Sequence, residues 1–277
     1  MPRVITFLNL KGGVAKTTTT IQVSHNLAKR GRRVLVIDGD PDACCSEALD
    51  ALVPEGAKTI YDVLVNPAGG IADAVVTYCG TADYPVSYTG RLDIIPGSQR
   101  ISRADTAFDN SVSRQPVLTF EAVPNWVIEN FCQSYDYVLI DPSPSHGRKT
   151  SAWTYASHGV IAPVSAEAMP KRGVLNMMRI LKQSNDERAT FRIPGETRLL
   201  GLLLSKIIAD QQEDAQEFLE KLDEKRIPRF QTTIPYTRAT YKSPEECVPV
   251  EVYDPNDIAG PLFARVTDEL EAMFHAA

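Results

Sequence analysis

Short apolar runs recur along this chain of 277 residues, and longer polar segments with helical periodicity separate them. Runs such as VLVID and YVLID are apolar throughout instead of alternating, which is typical of strands buried on both faces of a sheet. The runs predict strands at 4–9, 33–38, 92–96, 137–141, 159–164, 199–205 and 230–235. The helical patterns between them include 16–30, 116–133, 170–184 and 211–226.

This alternation of strands and helices predicts the α/β class, with a single doubly wound, mostly parallel twisted sheet of about seven or eight strands flanked by helices. Ligands of such sheets bind at the carboxyl ends of the strands. Residues 66–90 are rich in loop-forming residues and predict a loop excursion, not a domain boundary. We therefore expect one domain over residues 1–277.

The overall charge of the chain limits its partners. The net charge is −6, so binding to nucleic acid would require a local basic face. The five cysteines form no CxxC pair, which argues against a disulfide framework or a zinc site. No apolar stretch reaches the roughly 20 residues that span a bilayer, and we expect a cytoplasmic protein.

The stretch FLNLKGGVAKTTTT at 7–20 has the order strand, glycine-rich loop, helix. Glycines let backbone N–H groups turn towards phosphate oxygens, and the positive end of the following helix points to the same place. Lys16 would reach the β- and γ-phosphates of a nucleotide, and the Thr17 hydroxyl would hold Mg²⁺. The usual G-x-x-x-x-G-K-[ST] pattern is not met, because Leu10 and Ala15 replace its glycines. Ala15 is compatible with the loop if its φ is negative.

Three aspartates follow apolar strands. Asp38 and Asp40 end the strand in VLVIDGDPD, and Asp141 ends the strand in YDYVLIDPSPS. Carboxylates at that edge of a sheet are costly unless they are paired or lie near a cation. Because nucleotide-bound Mg²⁺ supplies such a cation, the aspartates and the loop together predict a nucleotide site.

These motifs resemble those of the ParA/MinD family of ATPases. KGGVAKTT resembles its deviant Walker A motif KGGVGKTT, VLVIDGDPD resembles its VLLIDxDPQ stretch, and YDYVLIDPSPS resembles its Walker B stretch YDYIIIDTPPS. The resemblance covers nearly the whole chain and is nearest to small ParA-type partition ATPases without an N-terminal helix-turn-helix. It implies a P-loop NTPase-like fold and a weak, Mg²⁺-dependent, partner-stimulated ATP hydrolase.

The resemblance also implies roles for single residues. Lys11 would cross the interface of an ATP-bound homodimer and contact the partner's phosphates, Lys16 would bind phosphate, and Asp40 would orient the attacking water. The metal residues would be Thr17, Asp38 and Asp141, with Asp38 supporting the switch region. The nucleotide contacts would be made by Lys11, Gly12, Gly13, Val14, Ala15, Lys16, Thr17 and Thr18, with Ser205 and Pro235 near the adenine.

In such a family the ATP-bound dimer would bind DNA without sequence preference, and a ParB-like or adaptor protein would stimulate hydrolysis. The expected function is to position a plasmid, a chromosome or a protein cargo on the nucleoid. DNA contacts would come from basic residues on a helix and beyond the TTIP stretch. The candidates are Lys171, Arg172, Arg179, Lys182, Arg238 and Lys242.

Two alternatives remain open at this point. A MinD-like membrane switch would need a C-terminal amphipathic helix with a basic face, but the polar face of the tail carries Asp268, Glu269 and Glu271 against Arg265. We expect its apolar stripe to pack on the core of the chain. A metal-carrier or iron-protein-like ATPase would need cluster cysteines, and Cys132 has no glycine-rich cluster loop around it.

The chain departs from the family pattern after the switch proline. Asp42, Ala43 and Cys44 stand where the family often has Gln, Gly and Asn. We expect the adjacent Cys44 and Cys45 to pack in the core beneath the switch helix, because free cysteines are often buried.

Overall fold

A seven-stranded sheet forms the centre of the computed structural model, which describes residues 1–111, 119–145, 147–165, 171–190 and 195–275, apart from the side chains of residues 171–174 and 275. The strand order is β3-β4-β2-β5-β1-β6-β7, and only the β3–β4 pair is antiparallel within this described part. The strands are β1 Arg3–Phe7, β2 Arg33–Gly39, β3 Val76–Thr77, β4 Arg91–Ile95, β5 Tyr137–Pro142, β6 Gly159–Ser165 and β7 Arg198–Ser205. The predicted mostly parallel sheet is confirmed.

Helices connect the strands and cover both faces of the sheet. They are α1 Lys16–Lys29, α2 Cys44–Glu47, α3 Ile60–Val65, α4 Ala104–Asp109, α5 Val123–Phe131, α6 Arg148–Ala156, α7 Lys171–Thr190, α8 Gln212–Glu224, α9 Arg238–Lys242, α10 Val250–Tyr253 and α11 Ala259–His275. The predicted helices at 16–30 and 211–226 match α1 and α8. The prediction at 116–133 extends into residues outside the described part, and α5 follows a short 3-10 turn at Phe120–Ala122.

Side chains of the central strands alternate between two apolar cores. Val36 belongs to the core beneath α1 and α11, whereas Leu35 belongs to the core beneath α3 to α6. Both residues are fully buried. A strand that faces a core on each side must be apolar at every position, which explains the continuous runs.

The predicted strand at 230–235 is wrong. The segment runs beside β7, where Phe230 N donates to Leu202 O and Ile234 N donates to Leu204 O, but it forms isolated bridges and no regular strand. The N–H groups of Gln231 and Thr232 donate to the Glu269 carboxylate of α11 at 2.7 and 2.9 Å. A side chain therefore satisfies the donors that a further strand would use.

The predicted loop excursion at 66–90 contains a strand that the pattern did not indicate. Val76 and Thr77 form β3 and pair with Ile94 and Asp93 of β4. The Thr77 hydroxyl donates to Asp93 Oδ1 at 2.7 Å. Two residues are too short for an alternation to be visible in the sequence, and the strand exists because it covers the edge of β4.

The C-terminal helix α11 packs against α1, as its apolar stripe predicts. Phe263, Val266 and Leu270 are buried in the same core as the apolar face of α1. On the polar side, the Glu271 carboxylate accepts hydrogen bonds from Arg30 at 2.8 Å and from Arg32 at 2.9 Å. Within the described ranges, none of the helices combines the length and the apolar character that crossing a bilayer requires.

Candidate nucleotide site

Strands β1, β2 and β5 are neighbours in the sheet, and polar side chains collect at the edge where all three end. Asp38 on β2 and Asp141 on β5 are register partners, so the ladder places the two residues side by side. Helix α1 begins at Lys16, directly after the loop that leaves β1. The structure therefore brings the predicted phosphate loop and the strand-end carboxylates to one edge of the sheet.

The loop between β1 and α1 presents backbone donors without acceptors. Among the hydrogen bonds of the described residues, none uses the N–H of residues 12–18. Asn9 holds the base of the loop, because its Nδ2 donates to the Pro163 carbonyl at 2.8 Å and its Oδ1 accepts from Lys11 N at 2.9 Å. Free donors at the positive end of a helix form an anion site. The sequence-based prediction missed Asn9, because a lone asparagine carries no chemical signature.

Two residues of this loop have a left-handed backbone. Gly13 has a φ of +75° and Ala15 a φ of +68°. The negative φ that was the condition for an alanine at position 15 is therefore not observed, and the alanine Cβ makes this conformation costly by roughly 1 kcal/mol. Ala43, which precedes α2, has a φ of +53°. Alanines thus occupy left-handed positions at both places where the chain departs from a glycine of the family motifs.

Asp141 has one satisfied and one unsatisfied carboxylate oxygen. The Thr17 hydroxyl donates to its Oδ2 at 2.6 Å, while Oδ1 is buried without a hydrogen-bond donor among the described residues. Burial, followed by the nearby charge of Asp38, raises the pKa of Asp141 to about 7. A hydroxyl beside a carboxylate oxygen that lacks a partner fits the oxygen ligation of Mg²⁺.

The two loop lysines have opposite environments. Lys11 is exposed, whereas the Lys16 side chain is buried. Burial lowers the pKa of Lys16, and the nearby charges of Asp141 and Asp40 oppose that shift. Thr18, in the first turn of α1, is half-buried. Lys16 therefore lies inside the candidate site, and Lys11 lies on its outer surface.

Asp38 organises the segment that follows β2, which we call the switch segment (residues 40–46). Its Oδ1 accepts from Asp40 N at 3.1 Å, and its Oδ2 accepts from Ser46 N at 2.8 Å and Ser46 Oγ at 2.6 Å. Burial raises the pKa of Asp38 to about 6 against these hydrogen bonds. Because both of its oxygens accept hydrogen bonds from residues 40 and 46, Asp38 holds the switch segment in place.

Ser46 and Gly97 complete this arrangement, and the sequence-based prediction named neither as a site residue. Gly97 N donates to Ser46 Oγ at 2.9 Å. A Cβ on Gly97 would lie 2.8 Å from the Asp40 carbonyl and 2.9 Å from Asp38 Cγ. The glycine is therefore required for close approach of the two strand ends. Gly97 lies just after β4, more than 50 residues from Asp38 and Ser46 in the sequence, so no local pattern could have indicated this contact.

The two adenine candidates differ in accessibility. Ser205 is buried at the end of β7, and its hydroxyl donates to Leu203 O at 3.4 Å. Pro235 is half-buried, bridges to Ile207, and lines a groove of about 680 Å³ together with residues of α8 and α11. The structure thus places Pro235 at a surface, whereas the Ser205 hydroxyl faces its own strand.

The candidate DNA contacts lie on two helices. Arg179 and Lys182 are exposed on α7, next to the exposed apolar side chain of Met178. Arg238 is exposed on α9, and Lys242 on that helix pairs with Glu245 at 2.5 Å. The side chains of Lys171 and Arg172 lie outside the described part of the chain.

The cysteines do not form a metal site in the described residues. Cys45 is buried as expected, but Cys44 is exposed, so the prediction of a shared core position is wrong for Cys44. Cys132 is fully buried in the core beneath α5. No group of three or more Cys, His, Asp or Glu side chains within the described ranges is arranged to hold a metal ion.

Comparison with known proteins identifies relatives over most of the chain. A family model described as an AAA domain matches residues 2–193. An uncharacterized protein of Mycobacterium tuberculosis is 32% identical over 204 residues, which are 74% of this chain and 58% of that protein. The sporulation initiation inhibitor protein Soj of Bacillus subtilis is 26% identical over 98% of this chain and 99% of Soj. The chromosome partitioning protein ParA of Caulobacter vibrioides is 33% identical over 65% of this chain and 62% of ParA.

Solved structures share the fold. Cobyrinic acid a,c-diamide synthase from Mycobacterium smegmatis, solved with ADP and magnesium, superposes with a TM-score of 0.74 at 24% identity over 99% of this chain and 96% of that chain. McdA from Cyanthece gives a TM-score of 0.75 at 20% identity over 98% and 100% of the two chains. The cell division ATPase MinD of Pyrococcus furiosus gives 0.67 at 23% identity over 99% and 100%. The predicted fold class is confirmed.

Replacing Ala15 by glycine should stabilise the free protein by about 0.5–1 kcal/mol, because glycine adopts a positive φ without the Cβ clash. Chemical denaturation measures the free energy of unfolding. The control Ala215→Gly, within α8, should instead destabilise the protein by about 1 kcal/mol through lost helix propensity. Equal destabilisation by both substitutions would contradict the left-handed conformation of Ala15.

Asp38 and Asp141 should each contribute a loss of stability as the pH rises from about 4 to about 7, since burial raises their folded-state pKa values above those of exposed aspartates. Asp141→Asn should reduce this loss and raise the melting temperature at pH 8. Thermal unfolding from pH 4 to pH 8 measures the effect, with the exposed Asp214→Asn on α8 as control. An unchanged pH dependence in Asp141→Asn would contradict the assigned burial.

Proposed function

The chain belongs to the ParA/MinD family of ATPases within the AAA-domain proteins, and we propose on this basis that it is a Mg²⁺-dependent ATPase whose ATP-bound state dimerises. In the proposed cycle the ATP-bound homodimer binds DNA without sequence preference, and a ParB-like or adaptor protein triggers hydrolysis and release. One domain would carry these activities. This chain spans 58% of the length of the Mycobacterium tuberculosis relative. The activity, cargo and partners of this chain are therefore proposed here and are not taken over from that relative.

The observation that carries the proposal is the set of free backbone donors at residues 12–18, next to the Thr17–Asp141 pair. A triphosphate would accept hydrogen bonds from the loop, and its Mg²⁺ would be held by the Thr17 hydroxyl and the free Asp141 oxygen. A Cβ on Gly12 would meet no atom within 4 Å, so packing within the described chain does not require glycine there. Close approach of a phosphate to the backbone would explain it.

Each charged side chain of the site would have a distinct task. Lys16, buried among the carboxylates, would neutralise the phosphate oxygens. Its charge would be stabilised by the added phosphates, which act against the desolvation that lowers its pKa in the free protein. Asp40 would orient the attacking water from the switch segment that Asp38 holds in place. Bound ATP–Mg²⁺ would supply the transferable γ-phosphoryl group.

Lys11 would act on the second subunit of the dimer. Its side chain is exposed at the outer surface of the loop, while its N–H is fixed by Asn9. A cation that reaches the γ-phosphate of the partner makes the dimer depend on that phosphate and stabilises negative charge during phosphoryl transfer. Hydrolysis would then weaken the dimer.

The proposed DNA surface would form from basic residues that dimerisation brings together. Arg179 and Lys182 on α7 and Arg238 on α9 are exposed, so each is accessible for phosphate contacts. Phosphate contacts carry no sequence information and are weakened by salt. A MinD-like membrane-binding function is less favoured, because the apolar stripe of α11 is buried against α1 and is not available to insert into lipid.

Separate substitutions of the two loop lysines distinguish ATP binding from ATP-dependent dimerisation. Lys16→Ala should abolish ATP binding in calorimetry, whereas Lys11→Ala should bind ATP and remain a monomer in light scattering. Lys29→Ala, at the far end of α1, is the control and should retain both properties. Tight ATP binding by Lys16→Ala would reject the assignment of the phosphate loop. A normal ATP-bound dimer of Lys11→Ala would reject the proposed contact of Lys11 with the phosphates of the partner subunit.

Removing the Asp40 carboxylate should stop hydrolysis without preventing ATP binding. We expect Asp40→Ala to accumulate as an ATP-bound dimer, because the attacking water is no longer oriented. Phosphate release and size-exclusion chromatography with ATP and with ADP measure the two effects, and Asp42→Ala in the same segment is the control. A parental hydrolysis rate in Asp40→Ala would show that another group orients the water.

DNA binding should require ATP and weaken steeply with salt on an arbitrary duplex. The double variant Arg179→Ala/Lys182→Ala should weaken binding and reduce the salt slope by about 1 for each lost phosphate contact. Lys221→Ala on α8 is the matched control. Absence of binding in every nucleotide state would reject the DNA part of the proposal and leave the ATP switch in place.

A further inference from the structure

A cavity lies at the amino ends of β1, β2 and β5, whereas the candidate nucleotide site lies at the carboxyl ends of the same strands. We call it the amino-edge cavity, and its volume is about 320 Å³. The ionisable side chains that line it are Arg3, Arg32, Arg33, Asp136, Tyr135 and Tyr137. Strand β5 runs from Tyr137 to Pro142, and at about 3.3 Å per residue its two ends are roughly 17 Å apart. The cavity is therefore separate from the nucleotide site.

The charge of the amino-edge cavity is opposite to that of the whole chain. Three arginines and one aspartate line it, whereas the net charge of the chain is −6. The sheet brings these residues together, because Arg3 is the register partner of Tyr137 and Val34, which follows Arg33, is its partner on the other side. A concave positive surface on an acidic protein attracts anions.

The guanidinium group of Arg33 is available to a ligand. The Arg33 backbone N–H donates to Asp136 Oδ2 at 2.7 Å, but Arg33 Nε lies 3.9 Å from that oxygen, which is too far for a hydrogen bond. None of the guanidinium N–H groups of Arg33 has an acceptor among the described residues, and 56% of the side chain is exposed. A guanidinium fork matches two oxygens of a phosphate group.

Arg3 and Tyr137 form a second, more rigid set of donors. Arg3 Nη1 donates to the Tyr137 hydroxyl at 2.6 Å, and the Arg3 guanidinium carbon lies 5.5 Å from the centroid of the Tyr137 ring and 5.1 Å from that of Phe274. Tyr137 is 1% exposed, and its hydroxyl proton has no acceptor among the described residues. Burial raises the pKa of Tyr137, so the hydroxyl keeps this proton. A buried donor without an acceptor is unfavourable, and an anion in the cavity would supply the acceptor.

The carboxylates around the cavity already accept hydrogen bonds from the chain. Arg32 donates through Nε and Nη2 to Glu271 Oε1 at 3.1 and 2.9 Å, and Arg30 donates to Glu271 Oε2 at 2.8 Å. Asp136 Oδ2 accepts from the backbone of Arg33. Arg32 Nη1 has no acceptor in the described part of the chain. The cavity therefore presents more free donors than free acceptors, which favours an anion over a cation.

We propose that the amino-edge cavity binds a small anion that carries a phosphate group, with Arg33, Arg3 and the Tyr137 hydroxyl as its donors. Its volume is close to the lower limit of about 300 Å³ for small-molecule sites, so a small ligand fits its size. The inference goes beyond the proposed function and does not depend on ATP binding at the other edge of the sheet. The backbone of DNA has the same phosphate chemistry, and the test distinguishes these two sources.

Calorimetric titration with pyrophosphate tests the site. The Lys16→Ala protein, which lacks the lysine of the phosphate loop, should still bind pyrophosphate. Adding Arg33→Ala to it should weaken this binding about tenfold, since a hydrogen-bonded charge is lost. Adding Arg198→Ala instead is the matched control and should leave the affinity unchanged, because Arg198 is also an exposed arginine that begins a strand.

Two milder variants separate contact with the ligand from folding. Tyr137→Phe keeps the ring in the core and loses the hydroxyl, so pyrophosphate affinity should fall about fivefold, as loss of one hydrogen bond predicts. Arg33→Lys keeps the charge and loses the fork, and its affinity should lie between those of the parent and Arg33→Ala. Melting temperatures show whether each variant remains folded.

Three results would overturn the proposal. The first is loss of all pyrophosphate binding in Lys16→Ala, which would assign anion binding to the phosphate loop alone. The second is equal pyrophosphate affinity of the Arg33→Ala and Arg198→Ala proteins. The third is weaker binding of a labelled DNA duplex by Arg33→Ala with unchanged pyrophosphate affinity, which would assign Arg33 to the DNA backbone. A parent protein that does not bind ATP would instead overturn the proposed ATPase function and leave this site standing.

Discussion

The burial of Asp38 and Asp141 on neighbouring strands is the constraint on which the candidate site depends. Two carboxylates that are register partners and have lost their water must each be protonated, hydrogen-bonded or neutralised. Asp38 obtains its donors from the switch segment, through Asp40 and Ser46. Asp141 obtains one from Thr17 and keeps one oxygen without a donor among the described residues. The free protein therefore holds a site that a bound cation would complete.

The same edge contains strain that a bound ligand could use. Ala15 and Ala43 both have positive φ values, one in the phosphate loop and one in the switch segment. The backbone donors of the loop have no acceptors in the described chain. The free energy of these features is unfavourable in the isolated protein and would be offset by contacts with an anion. The features that prepare the site for a ligand therefore lower the stability of the free protein, as is common where a protein binds a charged ligand.

The remainder of the fold keeps this edge in place. Apolar side chains of β2 and β5 alternate into two cores, which fixes the register that pairs Asp38 with Asp141. Helix α11 closes one core against α1, and its Glu269 satisfies the N–H groups of the segment beside β7. An acidic polar face, which argued against a lipid surface, therefore serves contacts within the chain.

The amino-acid sequence by itself determined the α/β class, the positions of six strands, the helix after the phosphate loop and the aspartates at the strand ends. These features are local, since periodicity and motif spacing are properties of short runs of consecutive residues. Only the tertiary structure decided the left-handed φ of Ala15, the Ser46 and Gly97 support of Asp38 and the irregular segment at 230–235. The contact of Gly97 with Ser46 and the hydrogen bonds from the 230–235 segment to Glu269 join atoms that are distant in the chain and meet only after folding, and no local pattern records which groups will meet.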